Sequence, residues 1–96
     1  MIRSLIQLLV ETLKARGCTQ KDLAARWHTI AARRGHPYEF STVVTQFSRL
    51  RNRDATAIDF FLTGGRTEIT AETFELPVVT LLSTVGILGG RSGGEQ

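Results

Sequence analysis

FSTVVTQFSRLRNRD, residues 40–54, is the stretch on which the fold of this 96-residue chain turns. At 100° per residue, Val43, Val44, Phe47 and Leu50 fall on one side of residues 41–52, which predicts an amphipathic helix with that side on a core. Thr42, Thr45, Gln46, Arg49 and Arg53 gather on the opposite side. Ser41 stands where a helix cap is expected. A merely solvated helix face carries Glu and Lys, which form helices well and keep a surface soluble. This face has no acid; it offers hydroxyls, one amide and guanidinium groups.

Helix signals continue on both sides of it. Upstream, Ile2, Leu5, Ile6, Leu9 and Leu13 recur at three- and four-residue steps, and Gly17 ends that stripe with Lys14 and Arg16 in its last turn. Thr19 and Asp22 form a capping-box pattern opening a second helix, in which Leu23, Trp27, Ile30 and Ala31 share a face. Gly35 and Pro37 must stop it. Downstream, Asp54 is placed to cap a fourth helix, ATAIDFFL, which TGG terminates. A fifth is expected from Thr70 through TAETFELPVVTLLSTVGIL, kinked at Pro77 or split there, because proline lacks an N–H and clashes with the preceding turn. β-branched residues near its end leave a strand open. The expectation is an all-α, compact five-helix bundle over residues 1–88, followed by a flexible Gly-rich tail at 89–96.

Charge divides the chain. Residues 1–53 hold ten Lys/Arg against three acids, and residues 54–96 hold two against six. A field polarised in this way draws polyanions to one side. Gln pairs with adenine through both ends of its amide, Arg with guanine, and Ser or Thr with bases or phosphates. The candidate contact set is therefore Ser41, Thr42, Thr45, Gln46 and Arg49 on the face, with Arg51, Asn52, Arg53 and Lys21 anchoring to phosphates.

TQKDLAARW, a turn, and STVVTQFSRLRNR together resemble the helix-turn-helix of the Cro/CI-type (XRE) repressors, across residues 2 to about 88. The resemblance implies a five-helix DNA-binding domain. In that family the Gln opening the second helix braces a phosphate or the recognition helix, and here that residue is Gln20. It implies that helix 41–52 enters the major groove of double-stranded DNA, that the protein represses transcription, and that it acts as a homodimer. The connection GHPYEF is fuller than the family's tight turn. A second register also matches, with residues 42–51 as support and 54–63 as reader. It would turn Asp54 and Asp59 toward phosphates and leave little polar surface for reading bases. Arg49, Asn52 and Arg53 stay at the DNA in both.

Val78, Leu81, Leu82 and Val85 either finish the core or form the dimer interface. Two further readings compete: a small protein-binding inhibitor or antiactivator whose basic face meets an acidic partner, and an antitoxin of the helix-turn-helix kind. Cys18, His28 and His36 match no zinc pattern, so no metal or cofactor is expected. No nucleophile–base pairing is visible, and an enzyme is not expected. A single cysteine, no signal-like segment and no long apolar run lead to the expectation of a cytoplasmic protein without a membrane span.

Overall fold

The computed structural model describes residues 5–84, which run through six α-helices: α1 (Leu5–Arg16), α2 (Gln20–Arg33), α3 (Phe40–Arg51), α4 (Ala55–Phe61), α5 (Arg66–Thr73) and α6 (Val78–Thr84). The described residues contain no strand, so the all-α expectation holds. None of their helices is long and apolar enough to cross a membrane.

Local chemistry sets most of the boundaries. Thr19 and Asp22 close the reciprocal capping box at α2, each side chain accepting the other's backbone N–H at 3.1 Å. Asp54 caps α4 by accepting from the Thr56 N–H at 2.9 Å. Four helix ends use one stop: the first or second residue past the helix turns left-handed, and the next N–H reaches back five residues. The bonds are Cys18 to Leu13, His36 to Ala31, Asp54 to Arg49 and Leu76 to Ala71. Gly17 and Gly35 supply the left-handed residue at φ 62° and 86° without steric cost. Arg53 and Glu75 hold the same conformation at φ 62° and 60° with side chains in place. Each carries local strain of about 1–2 kcal/mol. Arg53→Gly should therefore raise stability by about 0.5–1 kcal/mol after the glycine's extra unfolded-state entropy is subtracted. A thermal melt unchanged or lowered by this substitution would contradict that account.

The structure changes three expectations. There are six helices rather than five, because the last predicted helix is broken and not merely kinked. Glu75 turns left-handed and ends α5, and Pro77 then heads α6, where its carbonyl accepts from the Leu81 N–H at 2.9 Å and its missing N–H costs nothing. α5 also starts at Arg66, well before Thr70. Finally, α3 begins at Phe40 behind Glu39, whose side chain makes no capping bond, so Ser41 lies inside the first turn and is not the cap. The possible strand is absent as far as Thr84. Val85 and the Gly-rich tail lie outside the described residues.

The core collects Leu9, Leu23, Trp27, Val43, Phe47, Leu50, Phe61, Ile69 and Leu81, all essentially without solvent exposure. α2 lies at its centre, packed on α3 along one side and on α5 along the other. Trp27 stacks within 6 Å of Tyr38, Phe60 and Phe61. Its indole N–H donates to the Thr70 hydroxyl at 3.1 Å, and that hydroxyl donates to the Phe61 carbonyl at 2.7 Å. One buried threonine thus satisfies a donor on α2 and an acceptor at the end of α4. Arg66 closes the same cluster: it donates to the Phe60 carbonyl at 2.6 Å and sits 4.9 Å over the Phe60 ring.

Candidate nucleic-acid interface

The outward face of α3 is shaped by which of its residues the core takes. Val43, Phe47 and Leu50 are buried, which turns Ser41, Thr42, Thr45 and Arg49 to solvent and leaves Gln46 half-buried. These five residues line a shallow depression of about 260 Å³. The predicted face is assembled as the helical periodicity required. Gln46 differs from expectation in one respect. Its amide oxygen has no accessible surface and no hydrogen-bond partner. A two-bond contact with adenine needs both ends of the amide, so Gln46 must rotate outward to make one.

At the other end of α3, Arg51, Asn52 and Arg53 are all exposed. Arg51 donates to the Gln20 side-chain oxygen at 3.1 Å, which ties the end of α3 to the start of α2. Lys21 is exposed beside it on α2. Arg49 also acts on Asp54, whose carboxyl is held below the usual range mainly by the Thr56 hydroxyl and amide and partly by the Arg49 charge.

The Gln20–Arg51 bond brings the start of α2 to the end of α3, and the six residues Arg34–Glu39 join the other two ends. A helix-turn-helix joins its two helices through three or four residues, so the connection between α2 and α3 is longer than that motif uses. A connection of the required length, Asn52-Arg53-Asp54, lies one element later, between α3 and α4. α4 presents Ala55, Thr56 and Asp59 to solvent and no base.

Folding also redistributes the charge that the sequence divides so sharply. Glu68 and Glu72 on α5 and Glu75 just beyond it meet arginines of α1 and of α2 with its C-terminal cap. Arg16 and Arg26 reach Glu75 at 3.3 and 3.4 Å, Arg34 reaches Glu72 at 2.9 Å and Glu68 at 3.6 Å, and Arg33 pairs with Glu72. Arg26 additionally donates to the Thr73 and Glu72 carbonyls, closing the negative end of α5. The Glu72 carboxyl sits below its ordinary range, chiefly because Arg34 donates to it. Four of the ten cations of residues 1–53 are thereby paired with acids of the second half. Among the described residues, no carboxylate comes within 4.0 Å of Lys21, Arg49, Arg51 or Arg53.

Comparison with protein-family models, curated proteins and solved structures finds no match to this chain. The resemblance to the Cro/CI-type repressors rests on the quoted residues alone.

Sequence reading missed the α5 glutamates as partners for the α2 arginines. The signal was present in the four- and three-residue spacing of Glu68, Glu72 and Glu75 and the seven-residue spacing of Arg26 and Arg33. Of the residues considered for a dimer interface, Leu81 is fully buried in the chain's own core and has no surface to give. Val78 and Leu82 are half-buried, and Val79, next to them, is 65% exposed.

Proposed function

We propose that this protein is a DNA-binding regulator, which meets the duplex with the outward face of α3 and anchors itself through Lys21, Arg49, Arg51 and Arg53. The observation that carries the reading is the pattern of ion pairing. Glu68, Glu72 and Glu75 pair with the arginines of α1 and α2, while among the described residues the cations at the end of α3 have no carboxylate within ion-pair distance, Asp54 acting on Arg49 only from farther away. Guanidinium groups outside any ion pair beside an acid-free row of hydroxyls suit phosphate contact next to base contact. The long connection between α2 and α3 does not stand against this. A major groove admits the face of one helix, and a brace such as Gln20–Arg51 fixes that helix's end. Repression would follow from occupancy of an operator. A homodimer joined at Val78, Val79 and Leu82 would present two α3 faces to half-sites about one DNA turn apart.

A second reading is favoured by the three-residue connection, in which α3 supports and α4 reads. Base preference separates the two. If α3 reads, Gln46→Ala changes preference at one position of a selected duplex, and Asp59→Asn leaves the preference as it was. If α4 reads, Asp59→Asn alters preference and Gln46→Ala does not. Binding of labelled duplexes should also fall steeply with salt as counterions return to the DNA. No binding at low salt to any duplex, including the DNA upstream of the coding sequence, sinks the DNA reading and favours the inhibitor reading.

A further inference from the structure

The arginines of α1 and α2 form a second basic surface on a different side of α2 from α3. Arg26 and Arg33 lie seven residues apart on one stripe of α2, Arg34 follows, and Arg16 joins them from the end of α1. All four meet Glu68 and Glu72 of α5 or Glu75 just past its end, and Glu72 serves both Arg33 and Arg34. The pairs are not sealed in the interior: the Arg33 side chain is 62% exposed, and those of Glu68 and Glu75 are 62% and 63% exposed. Water reaches both partners, so each contact is weak and exchangeable. The fold needs Arg26 for more than charge, since it also closes α5 through backbone carbonyls. Arg33 and Arg34 have no such second task; their side chains bond only to Glu68 and Glu72.

We infer that Glu68, Glu72 and Glu75 act as an internal competitor for polyanions, closing the Arg16, Arg33 and Arg34 surface so that nucleic acid meets the α3 face alone. The carboxylates stand where phosphates would stand. A duplex or a sulfated polysaccharide arriving at this side finds its counterion sites already filled by the protein's own acids. It gains little by displacing them, because few small ions are released. The consequence is selectivity of face: one chain with two basic surfaces offers one.

The selectivity of face rests on the α3 reading; the closure of the Arg16, Arg33 and Arg34 surface is tested apart from it. The test is the triple variant Glu68→Gln, Glu72→Gln, Glu75→Gln, with folding checked by circular dichroism and thermal melting. Binding to a short random-sequence duplex and to a heparin fragment is measured as a function of salt. Relative to the wild type, the variant should bind both at least ~10-fold more tightly near 0.1 M salt, with the slope of log K against log salt steeper by about two to three. A general charge effect is separated by adding Arg33→Gln and Arg34→Gln. In the wild-type background this pair should change the slope by less than about 0.5, and in the triple-variant background it should remove about 2. Equal effects in the two backgrounds, or no gain in the triple variant, overturn the inference. If the triple variant does not fold, the single variant Glu72→Gln, which frees Arg33 and leaves Arg34 only its longer contact with Glu68, carries the same comparison with a smaller gain. A wild type that binds no DNA refutes the α3 reading and leaves this comparison intact, since the gain is read in the variant.

Discussion

Thr70→Val should be among the most destabilising single substitutions in the molecule while changing volume hardly at all. The hydroxyl removed is fully buried, accepts from the Trp27 indole and donates to the Phe61 carbonyl. Valine keeps the shape and leaves two buried polar groups without partners. Each such group costs about 1–3 kcal/mol, so a loss of about 3 kcal/mol is expected. For a domain of this size that lowers the melting temperature by roughly 12–24 °C. Thr70→Ser keeps the hydroxyl and deletes one methyl, so it should cost only about 1 kcal/mol. The two melts together decide the matter: a Thr70→Val protein that melts within a few degrees of Thr70→Ser would show that the relay between α2, α4 and α5 contributes nothing.

The second large effect is expected at the surface. Arg49→Ala, Arg51→Ala and Arg53→Ala combined should leave the core untouched, since all three side chains are exposed. If each contacts a phosphate, the slope of log K against log salt becomes shallower by about 2.7, and affinity near 0.1 M salt falls by several hundred-fold. The loss should be nearly the same on every duplex, because phosphate contacts carry no sequence information. Retained binding with an unchanged slope would remove these residues from the interface. The strained left-handed turn at Arg53 gives a sharper internal check. Arg53→Gly should make the fold more stable and the complex weaker at once, a pairing that damage to the fold cannot produce.

Much of the architecture was legible in local chemistry. The capping box at Thr19, the cap at Asp54, the stops at Gly17 and Gly35, and the apolar faces of α1, α2 and α3 each need only a few neighbouring residues. Pro77 was recognised as a break. How the break is made depends on Glu75, and nothing in that residue type announces a left-handed conformation. Ser41 misled because hydroxyl residues favour the cap position, whereas α3 starts one residue earlier behind Glu39, which makes no side-chain capping bond.

The candidate site divides along the same line. Helical periodicity alone brought Ser41, Thr42, Thr45, Gln46 and Arg49 onto one face, because residues on one helix keep their angular relation whatever the fold. Periodicity could not orient the Gln46 amide, whose oxygen turns inward. Nor could it distinguish the free arginines from the paired ones, since all are alike in the sequence.

What the sequence by itself determined is therefore the first four helices, the apolar faces of α1, α2 and α3, and the chemical character of the α3 surface. All of these follow from interactions within one or two turns. Only the tertiary structure decided where α5 starts and ends, that Gln20 meets Arg51, that Thr70 bridges three helices, and that Glu68, Glu72 and Glu75 pair with the arginines of α1 and α2 and not with those at the end of α3. Those outcomes depend on pairs such as Gln20–Arg51 and Arg33–Glu72, separated by 31 and 39 residues, which meet only when the whole bundle closes.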